Sequence, residues 1–358
     1  MHSQPRSATE TVPNRSWGAT ILFTTVFLAI SGAASWYQFV FSPSSTSYQV
    51  LDAVIKSAEL PDGVLLKTRW LNVKPIDHVL TLLVGAFYPG AVGYDVGAKL
   101  QQSQFLLSYS TCIAFLTVES LRVRNRWTLL GFHTIWAFLY QIVTGMVTLP
   151  PVFILRPKSR SPELHCPGAG PFNDIHLHHP DDTYVSPLPQ SKVQPDRRGL
   201  LATYTNLHRS RRLCARPNTS TKHITNLYKV TFVVSAMAHL TTIYILFTTT
   251  GNLQLTFDHV LVPKLDLETI QDFSTGMHRI FQWDYWLIFV SAIIWSWLGV
   301  YDISKMQKAD SVLTKCLGIV AAAIIVDPGA TLAYFGIWRE NELSAIIRKQ
   351  SVLKDKKK

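Results

Sequence analysis

Apolar runs about one membrane thickness long alternate with short polar stretches over most of this chain. A helix needs about 20 apolar residues to cross a bilayer core of about 30 Å. No charged residue lies between Arg15 and Asp52, and 19–41 is the apolar heart of that stretch. This first predicted span is too long for the apolar region of a cleavable leader and lacks a cleavage site, so it reads as retained. Further spans are predicted at 76–97, 100–118, 127–155, 230–250, 285–301 and 316–338. Pro150 and Pro151 end the fourth, and Asp284 and Asp302 bracket the sixth. Backbone polar groups in lipid need internal partners, so these spans read as helices. The ten-residue alternation of a membrane β-barrel is absent. The predicted fold class is all-α, a polytopic membrane helix bundle with seven spans.

Residues 157–226 break the pattern. They hold nine of the nineteen prolines and six of the twelve histidines, are rich in Arg and Lys, and contain no run of spanning length. The chain thus divides into a membrane half at 1–156, a polar linker at 157–226, a second membrane half at 227–338 and a basic cytosolic tail at 339–358. A structureless stretch of the linker's length is uncommon inside a compact domain. Residues 42–74 are mixed, and Val50, Leu51, Val54 and Ile55 have the spacing of an amphipathic interfacial helix. No internal repeat is visible.

Composition supports this reading. The chain is 47% hydrophobic and 16% charged, against about 25% charged in soluble domains. Its net charge of +11 sits in loops and the tail, as in membrane proteins, so no nucleic-acid partner is expected. With seven spans, the short loops carry six Lys and Arg on the N-terminal side and sixteen on the other. That predicts a cytosolic C-terminus, in a multi-pass protein of the endoplasmic reticulum. Cys112 and Cys316 lie in apolar runs and read as core residues. Cys166 and Cys214 would pair only in an oxidising lumen.

Ionisable groups near or within spans are expensive and mark candidate sites. Asp77 starts the second span. Glu119 closes the third, three residues before Arg122 on the same helix face, and Asn125 follows. Trp283, Asp284 and Tyr285 open the sixth, and Asp302 closes it. A rise of 1.5 Å per residue puts those two aspartates roughly 27 Å apart, too far to share one site. Asp327-Pro328-Gly329 interrupts the seventh span. It is either a buried acid or a kink whose freed amides cap the carboxylate. His133 and His239 read as hydrogen-bonded helix contacts. His176, His178, His179, Asp181 and Asp182 form a single cluster without a scaffold, so no metal site is predicted, and no cofactor motif is present. P-loop, GxSxG, HExxH and DDxxD patterns are all absent. The ten Trp, thirteen Tyr and eighteen Phe suit interfacial belts and core, and some would line a pocket that stabilises a cation.

The stretches IDHVLTLLVGAFYPGAVG, ESLRVRN, FQWDYWLIFVSAIIWSW and DPGATLAYFGIWRE cover the two ends of the chain. Their pattern and order resemble the fungal membrane-bound terpene cyclases of meroterpenoid pathways, of the ascofuranone and macrophorin type. The resemblance implies an enzyme that protonates a terminal epoxide or olefin on a prenylated aromatic or polyketide precursor taken from the bilayer. Asp77, Glu119, Asp284 and Asp302 are then the candidate acids. Arg122 and Asn125 would orient them, and Trp283 and Tyr285 would stabilise cations. Relatives should carry another span where this chain has 157–226, which reads as a divergent insert or an out-of-frame stretch. An eighth span there would move Asp302 to the face of Asp77 and Glu119, and would remove Asp284 from it. A small-molecule exporter, with inverted repeats and paired broken helices, and a non-catalytic membrane protein of a biosynthetic cluster are the alternatives.

Overall fold

The computed structural model describes residues 16–41, 47–60, 62–92, 95–122, 125, 128–154, 217–264, 273–307 and 311–355. They form α1 (Trp17–Trp36, with a π-helical continuation Tyr37–Phe41), α2 (Ser47–Ser57), α3 (Lys74–Val92), α4 (Val96–Ser120), α5 (His133–Ile142) and α6 (Gly145–Ile154). The second half gives α7 (Pro217–Thr248), α8 (Phe257–Leu261), α9 (Phe273–Gln307), α10 (Val312–Ile325) and α11 (Pro328–Asp355). Among the described residues there is no strand, only the isolated bridge Glu59–Leu65. The fold is therefore all-helical. The expected linker lies outside the described residues up to 216, with Cys166, Cys214 and the His176 cluster. Its remainder, 217–226, is not linker but the start of α7.

Residues 17–41, α3, 222–248 of α7, and α9 are long and apolar enough to cross a membrane. The outer face of α7 fits that environment. Val230, Val233, Met237, Leu240, Tyr244 and Phe247 are all exposed, at spacings of three and four that form one continuous stripe. An apolar strip of that length is too costly to leave in water.

The middle of the bundle is α4, which packs against α3, α7, α9 and α11. Its buried face includes Gln101, Gln104, Ser108 and Thr111 beside Phe105, Tyr109, Cys112 and Phe115. Each of these polar side chains makes a contact with another helix. Gln104 Nε2 contacts His239 Nδ1 of α7 at 2.9 Å, and the Thr111 and Ser235 hydroxyls meet at 3.1 Å. The Gln101 amide donates to the Phe281 carbonyl of α9 at 3.2 Å. Small polar residues at helix contacts suit a bundle whose outside is already apolar. Close approach also needs missing atoms: a Cβ on Gly299 of α9 would lie 2.4 Å from the Phe335 ring of α11.

Two of the predicted spans are helical hairpins instead. The 127–155 segment enters beside the end of α4, where His133 Nε2 lies 3.3 Å from Thr117 Oγ1. Helix α5 descends until Tyr140 stacks edge-on against Tyr109, with centroids 5.6 Å apart. The chain reverses at Val143–Thr144, where Thr144 takes φ +84°. Helix α6 then climbs back until Phe153 reaches Trp295 and shares a cleft with Leu130 and Glu119. Each helix has ten residues, about 15 Å of rise and half a bilayer core.

The 316–338 segment does the same. Lys315 Nζ sits 5.5 Å from the Trp338 ring centroid, although a straight helix would separate these residues by roughly 34 Å. The reversal is at Asp327-Pro328. Asp327 accepts the Ala330 amide at 2.7 Å and the Ser108 hydroxyl at 2.9 Å. A side-chain cap followed by proline at the first helical position starts α11. The capped-kink alternative is thus the geometry found. Spin labels on Lys315→Cys and Trp338→Cys are expected to report a separation far below the roughly 34 Å of a continuous helix. A distance near that value would remove the hairpin.

Candidate functional site

Residues one and two helical turns apart on α9 help to build an open cleft. Met277, Ile280, Phe281 and Asp284 share one face of that helix. With Leu82, Ala86 and Phe87 of α3, and Tyr140 and Thr144 of the α5–α6 hairpin, they surround about 600 Å³ of empty space, counted to its open mouth. The walls are aromatic and aliphatic. Phe87 and Phe281 meet with centroids 4.8 Å apart, and Phe105 backs Phe281 at 6.0 Å.

Besides Gln141 and the phenol of Tyr140, two polar side chains line this largely apolar space, Asp284 and Thr144. Asp284 is buried and accepts the Met146 amide on Oδ1 at 2.6 Å, so it caps the start of α6 from a neighbouring helix. Among the described residues no Lys or Arg forms an ion pair with it. The second group is Thr144, whose buried hydroxyl has no hydrogen-bond partner among the described residues. A β-branched residue at positive φ costs about 1–3 kcal/mol, and such strain collects at functional positions.

The other sequence candidates lie elsewhere. Asp77 is buried at the start of α3 and accepts the amides of Trp70 at 3.1 Å and Leu71 at 2.7 Å, which staples a loop. Glu119 Oε1 accepts from Arg122 Nε at 2.9 Å and from Arg339 Nη1 at 2.5 Å. Arg122 Nη2 also pairs with Glu340 Oε1. These four side chains are at most 4% exposed and tie the end of α4 to α11. Asn125 donates to the Glu119 carbonyl at 2.6 Å. Asp302 is buried near this end of α9 and is engaged in a contact of its own.

Trp283 and Tyr285 flank Asp284 in sequence but do not line its cleft. The Trp283 ring packs 5.4 Å from Tyr37, and the Tyr285 hydroxyl faces Gln104 at 3.4 Å. Neighbours on a helix point about 100° apart, so the aromatic partners of Asp284 are found at i−3 and on other helices. Phe281 was visible through that periodicity. Phe87, Tyr140 and Thr144 carry no local sequence signal.

The two carboxyl settings differ in kind. Glu119 is one member of a formally neutral quartet of charges, whereas Asp284 meets backbone amide and an apolar cleft. Glu119→Gln leaves two guanidinium groups with one carboxylate between them. Breaking such a buried pair is expected to cost about 3–5 kcal/mol, read as a lower unfolding midpoint of the detergent-solubilised protein. An unchanged midpoint would mean the quartet does not hold the bundle.

Three histidine or acidic side chains also converge away from the cleft, namely Asp95, His259 and His278, with ligand atoms within 4.8 Å of one another. The profile of the CtvD domain matches residues 23–175 and 199–344. The match therefore includes most of the expected linker, and narrows the divergent part to 176–198, the stretch with the His176 cluster. No curated protein and no solved structure matches the chain. The CtvD domain is linked to fungal meroterpenoid and terpene-cyclase-type biosynthesis. A match over both halves of the chain and both helical hairpins makes this protein a member of the CtvD domain family.

Proposed function

We propose that the protein is a multi-pass terpene cyclase of the endoplasmic reticulum. It would close the farnesyl chain of a prenylated aromatic or polyketide precursor in fungal secondary metabolism. The observation that carries this reading is one buried carboxyl, Asp284, at an aromatic-lined cleft in a member of the CtvD family. A farnesyl chain reaches the cleft from the bilayer, which it prefers to water by about 0.8 kcal/mol per CH₂.

Asp284 acts as the general acid. Its Oδ1 is anchored on the Met146 amide, which orients the other oxygen. The proton passes to the oxygen of a terminal epoxide, the C–O bond breaks, and the neighbouring alkene supplies the electron pair that closes the ring. Loss of a proton from carbon ends the sequence, so product and substrate have the same mass. The faces of Phe87, Phe281 and Tyr140 stabilise the cation as it moves. Apolar walls keep out water that would quench it. The Thr144 hydroxyl holds the substrate oxygen.

A second reading is favoured by the paired hairpins. Broken helices whose half-helix N-termini meet inside a bundle are the usual build of a transporter site, so a small-molecule exporter is the runner-up. Microsomes given a farnesylated, epoxidised aromatic distinguish the two. The cyclase produces an isobaric cyclic product, and an exporter moves its substrate unchanged into vesicles. Asp284→Asn is expected to lower cyclisation by about 10²–10⁴-fold, the usual contribution of a general acid, while Asp302→Asn retains it. Full activity in Asp284→Asn would take Asp284 out of the mechanism.

A further inference from the structure

At the other end of α4 from Glu119, three helices present ligand-type side chains to one point. Asp95 caps α4, His259 lies on the short helix α8, and His278 is on the second turn of α9. We propose that Asp95, His259 and His278 bind a divalent transition-metal ion of the zinc class, which pins α8 to the starts of α4 and α9. The site stands apart from the Asp284 cleft and is independent of the proposed reaction.

The donor set fits. Two imidazoles and a carboxylate are the three-ligand pattern of zinc sites that keep a fourth position open. His259 Nε2 lies 3.3 and 3.2 Å from the two Asp95 oxygens. That is close to the edge of a tetrahedron with bonds of about 2.0–2.1 Å. The two imidazole rings meet edge to face, with centroids 4.8 Å apart.

The pointed observation is His278. It is 4% exposed, and its Nε2 is buried with no hydrogen-bond partner among the described residues. The Val260 carbonyl is a hydrogen-bonding neighbour of the ring, and the ligand atoms of the three side chains lie within 4.8 Å of one another. Metal-binding histidines are commonly held by a backbone carbonyl on one nitrogen, with the other toward the ion. A histidine kept only for packing would leave a buried acceptor unsatisfied, at a cost.

The surroundings hold the ligands in place. Gln282, four residues after His278 on the same face, donates to the carbonyls of His259 at 2.7 Å and Val260 at 3.1 Å. Trp286, four further on, donates to the Leu261 carbonyl at 2.7 Å. Gly97 leaves the space His259 needs, since a Cβ there would lie 2.6 Å from Cδ2 of its ring. Asp95 anchors Oδ1 on the Ala98 amide at 2.9 Å.

The full-length protein in detergent, stripped with chelator, is titrated with Co²⁺. The expected result is saturable visible d–d absorption at about one ion per chain, abolished by added Zn²⁺. His278→Ala should lose Co²⁺ affinity by at least about tenfold. His278→Cys should restore binding with a new sulfur-to-cobalt charge-transfer band, which a packing role would not produce. Zn²⁺ should also raise the melting temperature of the wild type and leave that of His278→Ala unmoved. Absence of d–d bands in the wild type, or bands that persist in a His259→Ala, His278→Ala double variant, would overturn the proposal.

Discussion

A charge buried among helices must be answered by another charge, and the Glu119–Arg122–Arg339–Glu340 quartet meets that requirement at one end of the bundle. Two carboxylates and two guanidinium groups share one contact region. Arg339 is also flanked by the rings of Phe115 and Trp295, 5.7 and 5.6 Å from its guanidinium carbon. Desolvating four ions is expensive, so these groups are held where they are only if all four arrive together. Their arrival sets the rotation of α11 against α4. Phe335 then falls beside Phe115, and Asp327 beside Ser108.

That alignment explains how two reversals fit inside the bundle. The tips of both hairpins meet α4 at neighbouring residues. Ser108 donates to Asp327 at the α10–α11 tip. A methyl on Gly145, at the α5–α6 tip, would lie 3.4 Å from the Tyr109 hydroxyl. Successive helical positions point about 100° apart, so one helix can receive a tip on each side. Every reversal frees amides that lipid cannot satisfy. Asp327 answers one set from within its own hairpin, and Asp284 answers the other from α9. Asp284 therefore has a structural duty at the start of α6 as well as a place in the cleft wall.

The sequence shows apolar length well and chain direction poorly. Spans one and five and the core of α9 were legible because lipid-facing residues must be apolar whatever they pack on. The stretch that becomes α4 was also legible, although its buried face carries polar side chains from Gln101 to Ser120. The reversals at Thr144 and Asp327 were not, since half-bilayer helices joined by a tight turn have the same hydropathy as one crossing. Pro150 and Pro151 misled, because they lie inside α6 and do not end a span. Both hairpins return the chain to the Glu119 end, so Asp302 joins that end and Asp284 does not. The eighth-span alternative had the same consequence, reached here by another route. Asp284 was legible as a candidate because an aspartate at a span is rare. Its partners were not, because Tyr140 and Thr144 lie well over a hundred residues away in the chain. The Asp95–His259–His278 group carries no local sequence signal for the same reason, whereas the His176 cluster is conspicuous in the sequence and lies outside the described residues.

One helix links these places. Helix α9 carries His278 at its start, Asp284 in its first half and Asp302 near its end. Its buried residues include Ser291, Ser296 and Gly299, small enough to let α4, α6 and α11 pack closely around it. A rigid element of 35 residues fixes the distance from the His278 group to the cleft at about a turn and a half. Whatever holds the start of α9 then also sets the depth of Asp284. The clamp of Gln282 and Trp286 on the 259–261 backbone acts on the same stretch of helix, about half a turn either side of the carboxyl. The cleft therefore gets its precision from contacts outside it: α8 secures α9 at one end, and the Met146 amide meets Asp284 from α6.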